Sequence, residues 1–291
     1  MKILLIGHSI VDHIIEAGKE IIKPGGIFYS VLGINSRKKN EDKIFLLTGW
    51  NKNSFRLFEK IFAGTEMIYS SAIEEMPEVY LKIYNDKERD ENYKNLSSGL
   101  LIGKIKDWNQ FDGILINMIT GFDITLEQLK QIRKNYEGTI YLDLHTLSRG
   151  VDENMKREFR PVPEIEQWLA NIDILQCNKN ELRTIVENDD EKSSAQFVLS
   201  CGVKNLLITK GAEGAVVYFK KENETQKFSV DGEKVNTVNT IGCGDIFGTV
   251  FFYSYLSRGN IFDSLKLANH TAGIVVSNDI VKNPEVLKNA D

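Results

Sequence analysis

Short apolar runs alternate with helix-patterned stretches along most of the chain, and this alternation restricts the fold more than any other feature. The clearest unit covers residues 113–144. Gly113-Ile114-Leu115-Ile116 reads as a buried strand, Leu126, Leu129 and Ile132 fall on one helical face behind a Thr125 cap, and Thr139-Ile140-Tyr141-Leu142-Asp143 closes a βαβ unit. Residues 3–6, 44–47, 172–175, 206–209 and 215–218 supply further strands. Strands joined by crossover helices pair in parallel, so the expected class is α/β with a mainly parallel sheet. Several runs end at polar residues: Asn117, Asp143, Asn178 and Thr209. In an open parallel sheet the carboxyl ends of the strands face the ligand crevice, so chemistry is sought there.

With 291 residues the chain has room for one large α/β domain. No Pro-, Gly- or Ser-rich linker, low-complexity tract or repeat divides it, so residues 1–291 are read as a single domain with a small insertion. A formal net charge of -5 argues against nucleic-acid binding, which needs clustered Lys and Arg. The cysteines, Cys177, Cys201 and Cys243, are odd in number and lack metal-type spacing, which fits a reducing, cytoplasmic setting. The apolar run before Gly7 is too short for a signal peptide or a membrane span and reads as a first strand.

One region breaks the alternation. Residues 78–84 alternate as a strand, with Val79, Leu81 and Ile83 facing one way and Tyr80, Lys82 and Tyr84 the other, before a turn at Asn85-Asp86. Neither face is fully polar, so the strand needs cover on both sides. A small sheet over a cleft or against a partner subunit would supply it, with residues 13–23 as a second strand.

The most informative segment is Asn239-Thr240-Ile241-Gly242-Cys243-Gly244-Asp245. Gly242 and Gly244 stand just before a helix-patterned stretch, where unshielded N–H groups meet the positive end of the helix dipole. Such a place suits a phosphoryl group in transfer. A carboxylate in the first turn, Asp245, is placed to take a proton from an attacking hydroxyl while the N–H groups of Gly242, Cys243 and Gly244 steady the transferred charge.

This segment resembles the D-T-x-G-A-G-D signature of the ribokinase-like, or PfkB, carbohydrate kinases. Thr209-Lys210-Gly211-Ala212-Glu213-Gly214 is similar to that family's T-x-G-x-x-G turn around the nucleotide, implying ATP contacts at Thr209, Gly211 and Gly214. Gly7-His8-Ser9-Ile10-Val11-Asp12 is similar to the strand end whose Asp contacts the sugar, implying Asp12, and Gly25-Gly26 with Gly33 resembles the segment beneath the substrate. Asn178-Lys179-Asn180-Glu181 fits N-x-x-E, implying that Asn178 and Glu181 organise Mg²⁺ and phosphate through water. Asn269 falls on the adenine side. The resemblance implies a three-layer α/β/α sandwich with a small β lid inserted at about 13–23 and 76–95. In relatives the lid often also forms a homodimer interface.

Departures narrow the implications. Asn239 stands where the family signature opens with Asp, so an activating monovalent cation loses a charged ligand and K⁺ dependence is expected to be weak or absent. Cys243 replaces Ala, a tolerable change because the anion hole uses backbone N–H. Ser30 occupies the position of a substrate-binding Asn, and His145 with Arg149 could hold an anionic or polyhydroxyl substrate. The expected activity is ATP-dependent phosphorylation of a hydroxyl on a sugar or sugar-like compound, with no nucleic-acid or membrane partner. The alternatives are a nucleoside kinase of the same fold and a catalytically reduced, ligand-binding homologue. A nicotinamide-dependent dehydrogenase would need G-x-G-x-x-G after the first strand, which is absent.

Overall fold

A computed structural model of the chain describes residues 1–16, 18–82, 90–96, 99–188 and 190–289. Its centre is an eight-stranded sheet with the spatial order Glu224–Val230, Ala215–Lys221, Asn205–Thr209, Ile174–Asn178, Thr139–Asp143, Gly113–Asn117, Lys2–Ile6 and Lys43–Leu47. The strands from Asn205–Thr209 to Lys43–Leu47 all pair in parallel, and the two at the other edge pair antiparallel.

Both faces of the sheet are covered, which is why its strands read as near-continuous apolar runs. Ile3 and Leu5 pack on one side with the helices Ile27–Asn35, Cys243–Arg258 and Ile261–Val276. Leu4 and Ile6 point the other way, toward Leu126–Asn135, Lys179–Ile185 and Glu191–Ser200. The result is the expected three-layer α/β/α arrangement. The helix anticipated behind Thr125 has its capping box, with the Thr125 side chain accepting from Gln128 N–H.

The strand expected at 172–175 starts later, at Ile174, and continues to Asn178. Asp173 ties down the strand's entry: its carboxylate accepts from the Ile140 N–H at 2.9 Å and Arg133 at 2.7 Å, with Lys204 at 2.9 Å, and its backbone N–H donates to Ile140 O at 2.9 Å.

A separate four-stranded sheet runs in the order Lys19–Gly26, Ser9–Glu16, Glu78–Lys82, Asp90–Lys94. Residues 13–23, expected as one strand, are the middle of a hairpin whose two strands pair from Ser9↔Gly26 to Glu16↔Lys19. Gly18, at φ 77, serves the turn, since that backbone region suits glycine. Ala17, Ile83, Tyr84 and the turn at Asn85-Asp86 lie outside the described residues. Ile10, Ile14, Val79, Leu81 and Tyr93 form the buried face, while on the other face Tyr80 stacks on His13 at 4.3 Å.

A short hairpin that the sequence reading did not anticipate, Arg149–Val151 with Arg157–Phe159, braces this sheet. The Tyr93 N–H donates to Met155 O at 3.0 Å, and the Arg157 guanidinium lies 4.2 Å from the centre of the Tyr93 ring. Among the described residues no helix is long and apolar enough to cross a membrane.

Candidate functional site

The carboxyl ends of the parallel strands open into a cleft of about 630 Å³, lined by Asp143, Asn178 and Thr209 from the strand ends and by Gly242, Cys243, Gly244 and Asp245 from the start of the helix Cys243–Arg258. A smaller cavity of about 40 Å³ adjoins it beneath the four-stranded sheet, lined by Asp12, Gly26, Tyr29 and Tyr93 among others. Gly242, Asp245, Glu91 and His145 line both spaces. Asp245 therefore stands at their junction.

Local geometry accounts for the helix start. Gly242 caps the helix at φ 77 and brings no side chain to the first-turn N–H groups. A Cβ at this position would overlap the Tyr29 ring, so both backbone angle and packing call for glycine. The Cys243 N–H, expected as part of the anion hole, instead donates to Thr240 O at 3.3 Å. No such bond engages the Gly244 and Asp245 N–H groups among the described residues. The Gly242 N–H is likewise not engaged, so of the three groups expected to form the anion hole only Cys243 N–H is turned back into the loop. Burial pushes the Cys243 thiol up to about 12, with the Asp245 charge adding to the effect, so it stays a neutral packed group.

Asp245 is 9% exposed, and its Oδ1 accepts a 2.6 Å hydrogen bond from the Asn117 side-chain amide. That amide also lies 3.2 Å from Ser30 Oγ. Ser30, expected to touch substrate, is fully buried behind the wall and lines neither space; it positions Asn117. Gln176 is a second residue without a role in the sequence reading. Its amide donates to Asp143 Oδ2 at 3.2 Å and to Gly244 O at 3.1 Å, while its oxygen accepts from the Tyr141 hydroxyl. A lone glutamine inside a buried strand was the available signal. Burial first, and then the charges of Asp245 and Glu181, hold the Asp143 carboxyl well above the usual carboxylate range.

Beneath the four-stranded sheet, Gly25 leaves room for the Asp12 carboxylate, which a Cβ there would overlap. Gly26, at φ 64, ends the strand and passes the chain into the helix Ile27–Asn35. His145 begins the turn after Asp143, which is fastened by the Thr146 hydroxyl donating to Met118 O and, at 2.7 Å, to Ile119 O. Arg149 reaches across to the small sheet, with its guanidinium 3.5 Å from the Glu91 carboxylate and 4.4 Å from the Phe159 ring centre.

On the other side, Gly211 and Gly214 shape the turn after Thr209, and the Gly214 N–H donates to Gly211 O at 3.0 Å. Asn269 lines the cleft, but its amide is spent on Asp231 O at 2.9 Å, holding the loop that precedes the motif. Val235, Ala272, Gly273 and Val276 also line the cleft, together with Glu233 and Thr237. Asn178 and Glu181 form a reciprocal capping box: Asn178 Oδ1 accepts the N–H groups of Asn180 and Glu181, and Glu181 Oε2 accepts the Asn178 N–H, all at 2.9 Å. Asn239 Oδ1 likewise accepts the Ile241 N–H at 3.0 Å. Among the described residues no three His, Cys, Asp or Glu side chains cluster closely enough to hold a metal directly. The carboxylates of Glu181 and Asp245 on the cleft wall would suit a hydrated Mg²⁺.

Residues 144–286 match the model of the pfkB family of carbohydrate kinases. A ribokinase of Staphylococcus aureus is 32% identical over 116 residues, covering 38% of this chain and 37% of that protein. The chain thus spans well under half the length of such curated relatives. A solved Arabidopsis thaliana ribokinase complexed with ribose and ATP superposes with a TM-score of 0.75 at 15% identity, covering 100% of this chain and 98% of the other. A pyrophosphate-dependent kinase of the ribokinase family, complexed with a pyrophosphate analogue and myo-inositol, superposes with a TM-score of 0.79 at 16% identity and 96% coverage of each chain. These likenesses establish the fold.

Proposed function

By its residues 144–286 the chain belongs to the pfkB family of carbohydrate kinases, and from that premise we propose that it transfers the γ-phosphoryl group of ATP to a hydroxyl of a sugar or sugar-like small molecule. One observation carries the reading. Asp245 and Gly242 line both the large cleft and the small cavity, so a carboxylate and a helix start lie where a donor in one space would meet an acceptor in the other.

In this reading the acceptor enters beneath the four-stranded sheet and the triphosphate lies along Gly242 to Gly244. Asp245 takes the hydroxyl proton as the oxygen attacks phosphorus, and the bond to the leaving diphosphate breaks. The N–H groups of Gly244 and Asp245 and the helix dipole steady the charge on the transferred group. Asn117 holds the carboxylate in place. Mg²⁺, when bound, supplies positive charge that offsets the phosphates against Glu181 and Asp245. The small sheet excludes water, which would otherwise compete as acceptor. The size of the cleft, about 630 Å³, and the apolar residues Val235, Ala272 and Val276 in its lining favour a nucleotide donor over pyrophosphate.

The test is phosphorus NMR of the protein with Mg-ATP and a panel of sugars, polyols and nucleosides, repeated with pyrophosphate. Formation of a phosphomonoester with ADP is the expected result. No phosphorylated product from ATP with any acceptor would overturn the reading, and product from pyrophosphate alone would move the donor assignment.

A further inference from the structure

The charge around the small cavity bears on which acceptors it admits. Three carboxylates line it, Asp12, Glu91 and Asp245, and they are only 3%, 4% and 9% exposed. Between them stand Ile10, Val79, Leu81, Tyr93 and Ile119, so the wall is acidic and hydrocarbon together. No Lys or Arg lines this cavity among the described residues.

The cations nearby are committed elsewhere. Arg149, expected with His145 to hold an anionic or polyhydroxyl substrate, faces Glu91 at 3.5 Å and lines only the larger cleft. Arg157 lies behind the Tyr93 ring and donates to the carbonyls of Thr120 and Arg149. Lys23 pairs with Asp279 at 3.2 Å.

We infer that the acceptor is an uncharged polyhydroxy compound with a hydrocarbon face, and that sugar phosphates and sugar acids are rejected. The inference rests on the kinase reading and narrows its substrate class. Hydroxyl groups donate to Asp12 and Glu91, while the C–H face of the molecule lies on Ile10, Val79 and Leu81. A phosphate or carboxylate would bring further negative charge among buried carboxylates, where water screens it poorly. At about 40 Å³ the cavity takes the reacting end of the acceptor, its hydroxyl with the adjoining C–H groups, and Glu91 at the mouth keeps a carboxylate beside the part that projects. The rest of the acceptor extends past Glu91 and His145, which line the shared mouth.

Matched pairs test this: fructose against fructose 6-phosphate, ribose against ribonate, and myo-inositol against its monophosphate. Thermal shift in the presence of a non-hydrolysable ATP analogue reads binding, and kcat/KM with Mg-ATP reads turnover. The uncharged member of at least one pair is expected to bind and to be used about 100-fold better than its anionic partner. In Glu91→Gln, which releases Arg149 from its counter-charge, that ratio is expected to shrink about tenfold, and Asp12→Asn should shrink it independently from the opposite wall. An anionic member used as well as its neutral partner would overturn the inference while leaving the kinase reading intact. A ratio unmoved in both variants, each still binding the ATP analogue, would overturn the charge argument. If no member of any pair is used and the wider panel of sugars, polyols and nucleosides also gives no product from Mg-ATP, the kinase reading falls and the inference with it.

Discussion

The side-chain amide of Asn117 donates a 2.6 Å hydrogen bond to Oδ1 of Asp245, joining the end of a central strand to the first turn of the motif helix across 128 residues of sequence. A buried carboxylate so held presents one oxygen to the amide and keeps the other available toward the cavities. The bond gives the proposed base an orientation that the motif alone does not supply.

Removing the charge and removing the orientation should differ in size. Asp245→Asn keeps volume and lowers kcat about 10²- to 10⁴-fold, the usual worth of a positioned base. Asn117→Ala leaves the carboxylate but frees its rotamer, and about a tenfold loss in kcat with KM little changed is expected. In the double variant Asn117→Ala should add nothing further, since the group it orients has lost its function. Additive losses in single-turnover kinetics would show that Asn117 acts independently of Asp245.

Gly242 is held by two independent constraints, its φ of 77 and the Tyr29 ring where a Cβ would fall. Gly242→Ala is therefore expected to lose at least about 1–2 kcal/mol of stability from the backbone angle alone. Activity should fall further, because Tyr29 and the helix start must move apart. Urea denaturation measures the first effect; a wild-type midpoint would show that the turn relaxes freely.

Asp143 links the site to pH. Its carboxyl is held well above the usual range by burial and by Asp245 and Glu181, so the folded chain keeps a proton that the unfolded chain releases at about pH 4. Above that pH the unfolded state binds fewer protons than the folded one, and stability falls as pH rises until the folded-state value is passed. Asp143→Asn removes this penalty. The variant should melt higher than wild type at about pH 7–8, by about 2–4 °C for each kcal/mol recovered, and the gap should close toward about pH 4. Parallel melting curves across that range would place the titration elsewhere.

Asn239 offers its amide oxygen to the Ile241 N–H at 3.0 Å and carries no charge, so it makes a poor ligand for a monovalent cation. Exchanging Na⁺ for K⁺ at constant ionic strength should change turnover less than twofold. Asn239→Asp is expected to create K⁺ sensitivity. A severalfold K⁺ effect on the wild type would mean that backbone carbonyls suffice for the cation.

What could be read locally was read from the chain alone. Apolar runs such as Gly113-Ile114-Leu115-Ile116 and the face of Leu126, Leu129 and Ile132 state their structure within a few residues, because burial and helix period are local patterns. The glycines before Asp245 likewise announce a helix start by their backbone freedom. The partners were decided by strand register. Asp143 stands opposite both Asn117 and Gln176 in the sheet, and a slip of one residue would turn these polar ends to opposite faces. Only that register brings Asn117 to Asp245 and Gln176 to Asp143. The meeting of Glu91 with Arg149 similarly depends on an unforeseen hairpin docking against the small sheet. Such contacts join segments far apart in the chain, and no local pattern in either segment specifies the other.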